Sequence, residues 1–305
     1  MFVILLLMTR QKITLNGGEA LLAAAFLFAT TNVLVREMAH MWGDQAQVAV
    51  RFALVWIILM LYAHFKSEKT SIPRSKILPA AIYSALAAMG ILLLTLSVQM
   101  TTIANTLFTS NATELFVAFI LGTILLKENL TKRKLIAIGL SLAGLVLYSD
   151  SLLSGNAGLI FGMLAGATVG VCNLLAKQLK GVNISAILRI QFGLGTVFMI
   201  ALTLLFSADD IIRKISIEGT AVTLLFALIL IFATRLVLYG FQHSDINIAS
   251  VVLSSQLAIG ALLGFFFFRE VPAPHEIVSG LLIALAAIIG STGQKPSLKD
   301  APVHS

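Results

Sequence analysis

Apolar residues in this chain come in runs of about 20, separated by short polar breaks. Runs of that length match a hydrocarbon core of about 30 Å crossed by helices rising about 1.5 Å per residue. Most runs lack the polar stripe of a soluble core helix, and none alternates every second residue as a membrane barrel strand does. The pattern predicts an all-α membrane protein with about ten transmembrane helices, over 17–37, 46–65, 77–98, 104–126, 133–150, 156–176, 184–206, 220–241, 247–268 and 275–293. Residues 1–16 form an N-terminal segment and 294–305 a short polar tail. Met1 to Met8 is apolar but too short to span and lacks the basic start of a signal peptide, so Met8-Thr-Arg-Gln-Lys reads more naturally as a start.

One run carries an exception. In Ala104 to Glu128, ANTLFTSNATELFVAFILGTILLKE, Glu114 falls near the middle. Counted from Asn105, it lies roughly 14 Å into the membrane. A carboxylate there is expensive and is expected to face a partner or a cavity and to mark a pathway. The stretch Ile248 to Glu270, IASVVLSSQLAIGALLGFFFFRE, echoes it, with Gln256 at the place of Glu114 and Glu270 at that of Glu128. Further echoes pair Asn32 with Asn173, Arg36 with Lys177, Arg51 with Arg189 and Gln99 with Gln242, at offsets of 138 to 143 residues. Two repeats follow, 17–150 and 151–293, of five helices each. Five is odd, so the second repeat enters the membrane from the opposite side. A five-plus-five inverted repeat is a transporter signature, with the site at the midplane between halves.

Composition sharpens this picture. The 305 residues are 58% hydrophobic and 11% charged, and the mean hydropathy of +0.98 lies outside the soluble range. The net charge of +7 comes from loops and termini. With the N-terminus inside, the inner segments hold Arg10, Lys12, Lys66, Lys69, Arg74, Lys76, Lys127, Lys132, Arg133, Lys134, Lys177, Lys180, Lys295 and Lys299. The outer ones hold only Arg36, Arg213, Lys214 and Arg269. This asymmetry predicts both termini in the cytoplasm, in an inner or plasma membrane. The single Cys172 excludes an internal disulfide. No His/Cys spacing suggests a metal, no cofactor is implied, and no basic face interleaved with aromatics points to nucleic acid.

The candidate chemistry is polar side chains at membrane depth. Glu114 is either a cavity carboxylate able to exchange protons or a structural one bonded to a neighbour such as Asn111. Asn32, Asn105, Asn111, Asn173, Gln191 and Gln256 singly read as interhelical glue and together as a polar cavity. Arg51 and Arg189, each about five residues into a helix from opposite faces, suit a pair of gates or interface anchors. Arg235 lies about two-thirds across the eighth helix. These arginines outnumber Glu114, which hints at an anionic group on the solute. Gly158, Gly162, Gly166 and Gly170 make a flat helix face for close packing or for sliding, and Phe265 to Phe268 read as lipid-facing. Glu128 and Glu270, at helix ends, are expected to cap or to pair with loop cations such as Lys132.

From about Leu15 to Gly293 the sequence resembles the drug/metabolite transporter superfamily in its EamA-type ten-helix form. The residues that carry the resemblance are Leu125-Leu126-Lys127-Glu128-Asn129-Leu130-Thr131 with Gly139 and Gly144, similar to the family's LLGE-x-L-T … G segment. Phe268-Arg269-Glu270-Val271-Pro272 with Gly280 repeats it, and Asn32 through Arg36 with Arg51 resemble the first-helix asparagine–lysine stretch and second-helix arginine. The family's Trp-Gly before that asparagine is replaced by Ala29-Thr30, and the usual proline early in the fourth and ninth helices is absent. The resemblance implies a secondary transporter of a small polar or amphiphilic metabolite, amino-acid-like solutes favoured, exporting by alternating access with possible proton coupling. The partners expected are the solute, the bilayer and protons, with a homodimer possible. The alternatives are an uncoupled exchanger or importer, or a non-transporting assembly or sensor protein. An intramembrane enzyme would need a paired carboxylate, Ser–His or metal set at that depth, where Glu114 stands alone. No Walker A loop encodes an ATP-driven step.

Overall fold

A computed structural model describes residues 16–66, 72–127, 131–147, 156–207, 209–214, 216–271 and 273–291. Ten helices fill them. They are α1 Gly17–Met38, α2 Asp44–Lys66, α3 Arg74–Met100, α4 Ile103–Ile120, α5 Lys132–Leu147, α6 Ala157–Gln178, α7 Ile184–Phe206, α8 Ile217–His243, α9 in two pieces, Ile246–Leu253 (α9a) and Gln256–Phe268 (α9b), and α10 Pro274–Ser291. Eight are long and apolar enough to cross a membrane unaided, counting α4 with its extension and α9 whole; α5 has a shorter apolar stretch, Leu135–Gly144. α5 packs along α10, where Ser279 Oγ donates to Gly144 O at 2.5 Å.

The helix starts are legible locally. Asn16 caps α1 in a capping box with Glu19, Thr102 caps α4, and Asn156, Asn183 and Ser216 cap α6, α7 and α8. Each side-chain oxygen takes one of the backbone N–H groups that a first turn leaves unpaired. The ends after α4 and α9b are less usual. Lys127 and Arg269 hold positive φ of 51° and 56°. They occupy corresponding places, each just before a glutamate, where the similar family segment has glycine.

Two irregularities interrupt runs that read as continuous in the sequence. After Ile120, α4 widens into a π-helical turn over Leu121–Leu125. There Gly122 leaves room for α9a, since a Cβ on it would stand 2.5 Å from Ile246 Cγ2 and 2.6 Å from Asn247 Oδ1. α9 breaks at Ser254–Ser255, where tight turns (Ser255 N to Val252 O, 3.2 Å; Leu257 N to Ser254 O, 3.0 Å) carry the chain across.

Helix packing follows a regular exchange. α1 packs on α8 as α6 packs on α3; α4 packs on α6 as α9 packs on α1; α3 packs on α7 as α8 packs on α2. α2–α7 and α5–α10 are the pairs that map onto themselves. The α4–α6 contact is the tightest. A Cβ on Gly166 would lie 2.0 Å from Ser110 O, and one on Gly162 2.0 Å from Thr109 Oγ1. The glycine face expected from the sequence is therefore the surface on which α4 rests. Phe266 and Phe267 are largely exposed on the outside of the bundle.

At one end of the bundle, the connections α1–α2, α3–α4 and α7–α8 and the start of α10 meet. Arg213 joins the α1–α2 and α7–α8 connections: its guanidinium reaches Asp210 Oδ2 (2.6 Å), Ala39 O (3.0 Å) and Asp44 Oδ1 (3.5 Å). At the other end, Lys76 Nζ donates to Gln178 O (2.6 Å) and Gln242 Nε2 to Leu179 O (3.4 Å). These ends are called below the Arg36 end and the Lys177 end.

Candidate functional site

Between the ends, α1, α3, α4, α6, α7, α8 and α9 surround a cavity of about 130 Å³. Phe28, Ile91, Leu94, Leu107, Val169, Val237 and Leu253 make most of its wall; Glu114, Asn32, Asn173, Gln191 and Gln256 supply polar atoms, with Tyr83, Ser110, Cys172 and Thr234. Glu114 is 3% exposed and accepts a hydrogen bond from Asn173 Nδ2 at 2.8 Å. Ser250 of α9a, on the neighbouring helix, has its Oγ buried without a hydrogen-bond partner among the described residues. The bond from α6 to α4 exists because the glycines of α6 bring the two backbones together. The neighbour expected from the sequence, Asn111, is otherwise engaged: its Nδ2 donates to Leu107 O (2.6 Å), and its Oδ1 accepts from Gln256 Nε2 (2.8 Å). One turn separates Asn111 from Glu114 on α4, yet α9b claims the first and α6 the second.

The break in α9 sets Gln256 at the head of α9b, where its amide reaches across to α4. Asn32 donates to Phe28 O at 2.9 Å, so its Oδ1 remains for the cavity. Gln191 Oε1 is buried with no partner among the described residues. A polar atom so placed carries a desolvation cost that a ligand or water would relieve. Asn105, by contrast, donates to Thr101 Oγ1 (3.3 Å) near the Arg36 end and does not line the cavity.

The arginines distribute differently. Arg51 is 1% exposed and lines a smaller cavity of about 30 Å³ that shares Phe28, Asn32, Ile91 and Leu94 with the larger one. Its Nε donates to Gln47 O (3.0 Å) and its Nη2 to Thr95 Oγ1 (2.8 Å). Its guanidinium carbon lies 4.6 Å from the Phe226 ring centroid. Arg189 is half-buried and makes the matching contact one turn back, Nε to Ser185 O at 3.2 Å. Neither Arg189 nor Arg235 lines the larger cavity; Arg235 is half-buried on α8. The charge lining that cavity is therefore the single carboxylate.

The Arg36 end holds a cluster that sequence reading names only piecemeal. Arg36 ion-pairs with Glu270, donates from Nε to Val98 O (3.2 Å) and from Nη2 to Thr101 O (2.5 Å), and covers the Phe268 ring at 5.0 Å. Glu270 Oε2 also accepts the backbone N–H of Ile103 at 3.2 Å. Glu270 thus pairs with Arg36, not with a loop cation such as Lys132, and caps the first turn of α4. The end of α3, the start of α4, α1 and α9b are tied at one point. The repeat correspondence of Arg36 with Lys177 was the signal for it; at the opposite end Lys177 Nζ stands 3.8 Å from Asp245 Oδ1. Glu128, the counterpart of Glu270, lies outside the described residues.

Fold and site together define a polytopic helical membrane protein with a cavity of about 130 Å³ between its helices. The chain belongs to the EamA-like transporter family, whose profile matches it twice, over residues 17–149 and 156–292. A protein of Archaeoglobus fulgidus described as an uncharacterized transporter is 22% identical over 277 residues, spanning 90% of this chain and 95% of its own. A solved structure described only as the crystal structure of a protein superposes with a TM-score of 0.70 at 14% identity, covering 91% of this chain and 97% of the other. At that identity the likeness concerns the fold.

Proposed function

We propose that this protein is a secondary transporter that moves a small amphiphilic solute by alternating access, with Glu114 as its binding and proton-coupling group. The observation that carries the reading is the cavity itself: mostly apolar, between the helices, with one carboxylate held by an amide from the other half of the chain. An apolar wall with a few polar atoms selects a solute with an apolar body and a polar head. Amino-acid-like compounds meet that description. Asn32, Asn173, Asn111 and Gln256 position the carboxylate and the solute. Arg235, away from the lining, contributes from outside it. Arg51 and Arg189 serve as gates toward the two ends.

The two halves act as an inverted repeat, a reading supported by the exchange of helix pairings and by the double family match. On this reading the Arg36–Glu270 cluster is the closure of one end, and alternation requires it to part. The loop charges put that end outside and both termini in the cytoplasm of an inner or plasma membrane, and an exporter would release solute there.

The test is reconstitution of the purified protein in liposomes, followed by flux of radiolabelled leucine with and without an imposed pH gradient. Saturable flux that the gradient accelerates supports the reading. Saturable flux indifferent to the gradient would leave an uncoupled exchanger, and no flux for any amino acid or aliphatic amine would remove the transport reading.

A further inference from the structure

We infer that Arg51 is the anion subsite of the solute chamber and holds a carboxylate of the transported molecule. The inference rests on the transport reading and adds a second recognition point to it. A guanidinium carries five N–H donors in a planar fork. In Arg51 two of them are used, on Gln47 O and Thr95 Oγ1, both neutral acceptors. Thr95 is already committed as a donor to Ile91 O at 2.8 Å, so it meets the arginine with a lone pair. Phe226 offers its ring face. No carboxylate among the described residues pairs with Arg51. A guanidinium that is 1% exposed and lacks a counter-ion is one of the least favourable arrangements a protein interior can hold. One turn earlier on α2, both amide atoms of the Gln47 side chain are also buried without a partner. Arg51 thus holds spare N–H donors beside an open space.

That space is the smaller cavity, whose shared wall of Phe28, Asn32, Ile91 and Leu94 joins it to the larger one. Across the shared wall the chamber has Glu114 on one side and Arg51 on the other. A planar fork facing an apolar recess of about 30 Å³ fits a carboxylate attached to a hydrocarbon body. Glu114 would take an ammonium group of the same molecule. The expectation raised by the sequence, that membrane arginines imply an anionic group on the solute, thereby narrows to one arginine.

The test separates the two charges of one molecule. Thermal unfolding of the purified protein is followed with leucine, with 4-methylvalerate (which lacks the ammonium) and with 3-methylbutylamine (which lacks the carboxylate), against sodium chloride at equal ionic strength. The expected result is a saturable stabilisation of the wild type by 4-methylvalerate. In Arg51→Met its half-saturating concentration rises tenfold or more, while that of 3-methylbutylamine stays within twofold. Without ligand, Arg51→Met unfolds no earlier than the wild type, which a structural role would not allow. Arg51→Lys keeps the charge without the fork, binds 4-methylvalerate with severalfold weaker half-saturation, and serves as the decisive variant if Arg51→Met does not fold. Equal half-saturation in wild type and variant, or no saturable shift in the wild type, would overturn the subsite. Binding that depends on Arg51 with no flux of any amino acid or aliphatic amine would remove the transport reading and leave a carboxylate-binding site standing; flux and binding both untouched by Arg51→Met would remove the subsite alone.

Discussion

Replacing Gly166 by alanine tests whether the approach of α4 to α6 builds the site. The added Cβ would stand 2.0 Å from Ser110 O, 2.8 Å from Ser110 C and 2.9 Å from Ser110 Cα. All three are backbone atoms, so no side chain can turn aside. Ordinary contact distances require the two helices to separate locally by about 1 Å or more. Overpacking of this kind costs about 1–3 kcal/mol. The same separation lengthens the 2.8 Å bond from Asn173 to Glu114, seven residues further along α6. Loss of a hydrogen bond to a charged group adds about 1.5–3 kcal/mol, so the expected destabilisation is about 2.5–6 kcal/mol. Gly139 provides the control: an alanine there meets nothing within 4 Å, and in a helix interior it is neutral or stabilising by up to about 1 kcal/mol. Both variants are measured by reversible denaturation in mixed micelles and by flux per folded molecule. Gly166→Ala with wild-type stability and flux would refute the claim that this contact sets the cavity.

Arg36→Ala removes the cluster read as the closure of one end, and Cys172, buried against the cavity and the single cysteine of the chain, reports on it. Maleimide labelling of Cys172 should accelerate severalfold, and an unchanged rate would show that the cluster is not a closure. Lys127→Gly and Arg269→Gly relieve left-handed backbone at non-glycine positions; each should stabilise by about 0.5–1 kcal/mol in a melting experiment, and a loss would mean that these side chains do more than end a helix. At the Arg36 end, the Arg213 guanidinium holds the Asp210 carboxyl below the usual carboxylate range. A depressed folded-state value stabilises above the unfolded value and loses that stabilisation as pH falls through the folded one. The difference in melting between wild type and Arg213→Ala should therefore be small at pH 7, below about 1 kcal/mol for so exposed a pair. It should shrink further below pH about 4, and a difference that grows on acidification would contradict the assignment.

Hydrophobic run length made most of the helices legible, because eight of the runs match the bilayer by themselves. Three features depended on information that run length does not hold. The break at Ser254–Ser255 and the widened turn after Ile120 contain no proline, and they answer to how α9 and α4 meet. The partner of Glu114 was sought one turn away at Asn111, where helical spacing looks, but glycines on α6 bring Asn173 from 59 residues downstream. The correspondence of Asn32 with Asn173 had marked that residue without saying what it touches. Arg235 was placed by depth alone, and its distance from the cavity depends on rotation about α8. Arg36 and Glu270, 234 residues apart, were each visible as a repeat position, while their meeting follows only from α1 packing on α9.

The central claim is that Glu114 couples solute movement to protons, and flux through Glu114→Gln tests it most directly. The amide keeps the shape and can still meet Asn173, but it fixes one protonation state. Initial rates are measured per folded molecule in liposomes, for wild type and variant, with and without a pH gradient. The account predicts that solute exchange across the membrane persists in Glu114→Gln at a raised half-saturating concentration, because the ammonium loses its counter-charge, while gradient-driven accumulation is lost. Gradient-driven accumulation per molecule equal to that of the wild type would contradict it.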